Sequence, residues 1–231
     1  MTTRATIDGP WSDPVNIGAP INSPYYDAEV TLSADGLSLY FGSSRPGGYG
    51  DRDIWFATRE TVDSPWSEPR NLGPVVNSPA YDNSPSLSTD GCVLLFSSTR
   101  PCGFGDRDLW VTRRATTADT WTEPVNLGSV VNSSSRETAP CISADGSTIY
   151  FQSTGGVWQT KLHPLVDLNA DGIVDAADIC IVVDNWHTDN SLCDIAPAPV
   201  GDSFVDVQDL IVLAEHLFAV FPPAEPHLLT P

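Results

Sequence analysis

Between Asp167 and Asp178, oxygen-bearing side chains recur at fixed intervals: Asp167, Asn169, Asp171, Asp175 and Asp178. Counted from Asp167, they fall at positions 1, 3, 5, 9 and 12 of a twelve-residue loop, and Gly172 stands at position 6, where the chain must turn sharply. Ile173, at position 7, supplies a backbone carbonyl to the interior of such a loop. Val174 follows as the apolar residue that pins the loop to a core. A hard cation such as calcium takes about six to eight oxygen ligands, and this pattern offers oxygen at every ligand position. A solvated Asp-rich turn is the competing reading, and the fixed spacing argues against it.

A second, altered copy follows. Its end matches the pattern, with Asp202 at position 5, Phe204 at 7, Val205 at 8, Asp206 at 9 and Asp209 at 12. Its start does not, because strict counting puts Ala198 and Val200 at positions 1 and 3. Asp194 serves as position 1 only if residues 195–201 bulge out as an insertion, and Ser203 replaces the turn glycine. Calcium is therefore expected at one complete site and one degenerate site. Each loop runs into a stretch with helical spacing. The first covers 178–186, with Ile179, Val182, Val183 and Trp186 on one side; the second, 209–218, is apolar on most sides. The two helices are expected to pack together.

Aspartate at position 12, and a helix that leaves the loop with none entering it, resemble the dockerin loop-helix. The resemblance covers residues 165–221. It implies a small α-helical, EF-hand-like module whose partner is a cohesin-like or cell-surface protein, in a polysaccharide-degrading setting. In type I dockerins a Ser/Thr pair at positions 10 and 11 meets the cohesin. Ala176-Ala177 and Val207-Gln208 stand there in this chain, a departure at the partner contact that leaves the calcium positions intact.

The charge is distributed accordingly. The chain carries a net charge of −19, and all 11 of its Lys and Arg precede residue 162, whereas many of its 30 Asp and Glu follow it. An acidic surface repels nucleic acid and anionic membrane, so neither is an expected partner. No run of about 18 apolar residues exists to span a membrane. The N-terminal stretch shows no signal peptide, yet the Thr-, Ser-, Pro- and Gly-rich texture fits an extracellular or cell-surface protein. Of the 5 cysteines none forms a C-x-x-C pair; Cys180 and Cys193 flank one helix and are candidates for pairing.

The preceding residues are repetitive. Trp11, Trp66 and Trp121 recur every 55 residues, as do Asp35-Gly36, Asp90-Gly91 and Asp145-Gly146. An Asp-Gly pair between alternating apolar runs predicts a β-hairpin. The first unit reads as strands at 28–33, 38–43, 53–59 and 66–72, with Pro69 marking the last as an edge strand. Four strands per repeat describe a propeller blade. The Ser33–Phe41, Ser88–Phe96 and Ser143–Phe151 segments, with the RPGGYGDRDIW run from Arg45 to Trp55, resemble the WD-like repeats of TolB-type propellers. The expected fold is thus mainly β: a small propeller of about three four-stranded blades over 8–163, followed by the helical module. Three closures are open: a compact three-bladed ring, half of a six-bladed ring completed by a second copy, or the remnant of a longer propeller. The compact ring is expected, closed by the N-terminal strand from Trp11 to Ile17.

By that resemblance the first strand of each blade lies nearest the axis, which would bring Asp27, Glu29, Asp82 and Glu137 to one mouth as ligand-binding residues. Clustered carboxylates there would also suit glycoside hydrolysis. The plainer reading has them capping turns. Asp51-Arg52-Asp53 and Asp106-Arg107-Asp108 read as a charged rim or as the clamp of a Gly-rich loop. The repeated tryptophans read as blade packing or as platforms for sugar rings. No nucleophile–His motif or phosphate-cradling loop accompanies them. The functional expectation is an extracellular calcium-binding interaction protein, its propeller holding a glycan or protein and its dockerin-like module providing attachment. The alternative is a propeller glycosidase or lyase.

Overall fold

The computed structural model describes residues 8–161, 176–187, 205–215 and 227–228. The repeat unit folds around its Asp-Gly pair. In the first unit Ser33 Oγ donates to Asp35 Oδ1 at 2.6 Å, and the same oxygen accepts the Leu37 N–H at 2.9 Å. Gly36 takes the φ of 73° that this turn requires. The serine–aspartate bond recurs from Ser88 to Asp90 and from Ser143 to Asp145.

The hairpins grow into three antiparallel sheets, each a meander. The first holds β1 (Asp27–Leu32), β2 (Ser38–Ser43), β3 (Asp53–Thr58) and β4 (Arg70–Asn71) in that order. The second holds β5 (Asp82–Leu87), β6 (Val93–Ser98), β7 (Asp108–Arg113) and β8 (Val125–Asn126). The third holds β9 (Thr138–Ile142), β10 (Thr148–Ser153) and β11 (Gly156–Lys161), with β12 (His227–Leu228) at its outer edge. The molecule is mainly β, and the sheets form a propeller-like array of blades.

Two expectations about strands change. The outer strand predicted over 66–72 shortens to a ladder at Arg70 and Asn71, with Ser67 and Leu72 adding single N–H bonds to Thr58 and Ile54. Pro69 brings no N–H to the ladder, and Asn71 turns the chain at once by accepting the Gly73 N–H at 2.8 Å. The third blade is not completed by Trp11–Ile17, which lie outside any strand. Its fourth position is taken by β12, in register Trp158↔Leu228 and Gln159↔His227.

Apolar clusters fill the gaps between blades. Ile54 and Val76 meet Phe96 and Trp110 between the first and second blades. Leu95, Leu109 and Val111 meet Ile149 and Phe151 between the second and third. On the far side of the first blade, Leu39, Phe41 and Trp55 are covered by Ile17 and Ile21 from the preceding loop. Packing runs from β1–β3 onto β5 and from β5–β7 onto β9, and no comparable strand packing joins the first and third blades among the described residues. Among the described residues the three blades therefore form an open arc and not the expected compact ring.

Helices α1 (Ala176–Asp184) and α2 (Val207–Glu215) pack against each other. Val182, Val205 and Leu213 are buried there, whereas Val183, expected on the packed face, is 53% exposed. Among the described residues no helix is long and apolar enough to cross a membrane.

Candidate functional site

The four carboxylates expected at the axial mouth divide into two kinds. Asp27 accepts the Ser23 N–H and hydroxyl at 2.6 Å each, the Ser43 hydroxyl at 2.7 Å and Arg45 Nη2 at 2.7 Å. Asp82 repeats this knot with Ser78, Ser98 and Arg100. Each arginine also donates to the carbonyl of the loop before its blade, Arg45 to Ile21 and Arg100 to Val76. Glu137, in the equivalent place, accepts Ser133 N–H and the Ser133 and Ser153 hydroxyls. Gly155 stands where the other blades have arginine, and the third knot has serines alone. Burial raises the Asp27 carboxyl, but Arg45, Ser23 and Ser43 outweigh it and hold it below the ordinary value. All three acids have their oxygens engaged in tying strand to loop.

Glu29 is the other kind. It is exposed, and it sits on a bulge with φ of 56°, a conformation shared by Ser84 at 56° and Ala139 at 50° in the other blades. The register slips at this point in each inner strand, which turns the bulged side chain out of the ladder. Glu29 Oε2 accepts Asn83 Nδ2 and Ser84 Oγ from the second blade.

Beside Glu29 runs a ladder of rings and guanidinium groups. Arg52 lies 3.4 Å from the Tyr26 ring centre and 4.9 Å from that of Tyr81, and donates to the Tyr81 hydroxyl. Arg107 lies 3.9 Å from the Tyr81 ring centre. Arg136 takes the tyrosine's place in the third blade and bridges to Arg107 through the backbone. Such stacking contributes about 0.5–1 kcal/mol per pair at exposed sites. The neighbouring aspartates do different work: Asp53 and Asp108 are buried and accept backbone N–H groups from Tyr49 and Gly50, and from Phe104 and Gly105. The clamp on the Gly-rich loop is thus a carboxylate on backbone amides. The ladder's signal in the sequence is the shared register of Tyr26 with Tyr81 and of Arg52 with Arg107.

A groove of about 270 Å³ opens between the first two blades, lined by Tyr40, Phe56, Val76, Arg114 and Trp121. Tyr40 stacks on Phe56 at 5.9 Å and meets Trp121 edge-on at 6.4 Å, while Arg114 lies 4.3 Å from the Trp121 ring centre. Trp66 packs in the same way beneath Arg59 at 4.4 Å. These two tryptophans pack on the blades, and Trp11 is 62% exposed.

Of the calcium-ligand candidates, Asp167, Asn169, Asp171, Ile173, Asp175, Asp194, Asp202 and Phe204 lie outside the described residues. Asp178 falls in the first turn of α1, as Asp209 does in α2, so both helices start two residues ahead of position 12. At α2, Asp206 Oδ1 accepts the Gln208 N–H and Asp209 Oδ2 accepts the Asp206 N–H, both at 2.7 Å. This reciprocal cap holds positions 9 and 12 side by side. Among the described residues no three metal-binding side chains gather at one point.

No family model matches the sequence, and no curated protein matches it. Among solved structures the chain is similar to TolB from Acinetobacter baumannii, with TM-score 0.36 and 16% identity over 58% of this chain and 29% of that one. A candidate TolB from Agrobacterium tumefaciens gives 0.43 and 18% over 63% and 48%. An alpha-L-arabinofuranosidase from Lactobacillus brevis gives 0.43 and 13% over 62% and 49%. The chain spans less than half the length of each of these structures.

Proposed function

We propose that this chain is a calcium-binding interaction protein of the extracellular space or cell surface. In this reading the blade array holds a ligand, a glycan or a protein, and the two loop-helix copies form a dockerin-like attachment module that docks on a cohesin-like or other surface protein. The observation that carries it is the oxygen-donor spacing from Asp167 to Asp178. Two structural features support it: α1 and α2 start at the same point of their respective loops, and they pack on each other. Residues Asp167, Asn169, Asp171, Ile173, Asp175 and Asp178 would hold the first ion. Asp194, Asp202, Phe204, Asp206 and Asp209 would hold a weaker second one.

Along the Tyr26–Arg52–Tyr81–Arg107 ladder, Glu29 supplies an acceptor, while Arg52 and Arg107 supply donors beside tyrosine rings, a combination suited to sugar hydroxyls or polar peptide groups. The glycosidase reading draws less support, because Asp27, Asp82 and Glu137 already hold their own blades together. The proposal is tested by melting the whole chain in calcium and in chelator while following helical circular dichroism. A ligand that binds only the folded state stabilises it, so calcium should raise the helical transition. Identical melts would overturn the reading.

A further inference from the structure

The two ends of the blade arc present the two halves of one interface. In each internal junction the leading blade offers residues from its second and third strands, and the following blade offers its inner strand. Where the first blade meets the second, Tyr40 is 3% exposed and Ile54 0%. Where the second meets the third, Leu95 and Leu109 are both 0% exposed. At the free end of the third blade the equivalent places belong to Tyr150 and Val157, which are 36% and 50% exposed.

The opposite end is the counterpart. On the inner strands Pro85 and Pro140 are buried by the blade in front of them. Val30, their equivalent on the first blade, is 61% exposed, and Leu32, two residues on, is 44% exposed. The junctions also share a hydrogen bond. Leu87 N–H donates to Thr31 Oγ1 at 3.3 Å, and Ile142 N–H donates to Ser86 Oγ at 3.1 Å. By register, Leu32 and Cys141 are the next pair, and they stand at opposite ends of the arc.

We propose that a second copy of this chain docks head to tail, its first blade against the third blade of its partner, and that two copies close a six-bladed ring. The occupant follows from continuity with the two junctions already in the chain: what covers a Leu95-type face is a Pro140-type strand, and the chain carries its own. A head-to-tail contact closes or runs on as a filament. Propellers close at about four to eight blades, and two copies of a three-bladed arc are the only whole number within that range. This inference is independent of calcium and of the proposed function.

Light scattering on the purified chain should give twice its mass of 24.8 kDa. Val30→Glu and Tyr150→Glu should each give single chains. Mixed together, they should recover a two-chain species, because one of the two contacts in the mixed pair carries neither substitution. Recovery on mixing also shows that both variants are folded; Leu32→Glu serves in place of Val30→Glu if that chain fails to fold. A wild-type mass of one chain would overturn the proposal. So would a dimer indifferent to the substitutions, and a series of higher masses would overturn ring closure.

Discussion

At the residue scale, the acids of the blades are structural partners before they are anything else. Asp82 and Arg100 form an ion pair at 2.7 Å with side chains 0% and 11% exposed. Removing one member of a buried pair leaves the other uncompensated, at a cost of about 3–5 kcal/mol. Asp82→Ala should lower the unfolding free energy by that order in urea, and a change within the error of the wild type would contradict the knot. Asp145 behaves differently. It is exposed, but the Ser143 hydroxyl and the Ser147 N–H and hydroxyl pull its carboxyl down to about 2. A carboxyl lowered on folding binds protons more weakly in the folded state, so its contribution is complete above its unfolded value of 3.8 and lost as pH falls through about 2. Carboxyl NMR should place its midpoint near the lower value, and a midpoint near 3.8 would show that the turn does not hold the ion.

At the scale of elements, the hairpins were legible because an Asp-Gly turn is specified by neighbours in sequence. The outer strands were not, since pairing at Arg70 and Asn71 depends on how Pro69 enters and how Asn71 turns out. The Tyr26–Arg52–Tyr81–Arg107 ladder was not, because it exists only between blades. The same crossing sets a steric demand. A Cβ on Gly50 would lie 1.8 Å from the Ala80 carbonyl oxygen, and one on Gly105 would lie 2.2 Å from that of Ser135. Backbone cannot yield as a side chain can, so Gly50→Ala should cost about 1–3 kcal/mol. Gly128→Ala makes no close contact, and φ of 74° is its only strain. Denaturation midpoints that rank the two the other way would contradict the blade-to-loop packing.

At the scale of the molecule, a basic-and-acidic blade array is followed by a segment with no Lys or Arg after Lys161. The repeat period foretold three blades but left closure open among three alternatives, because closure is decided by contacts between the first and last copies. It did not foretell the use of His227 and Leu228 as an outer strand, which brings the far end of the chain back to the third blade. The helical pair was legible to within two residues at its starts, and at α2 Asp206 caps the start by accepting the Gln208 N–H.

Calcium binding by the Asp167–Asp178 loop is tested most directly by calorimetric titration of the whole chain. The wild type should release or absorb heat with a saturable calcium site, and Asp171→Ala should remove the tighter phase while leaving the weaker one from the second loop. A titration without a saturable site, or one unchanged by Asp171→Ala, would contradict the account.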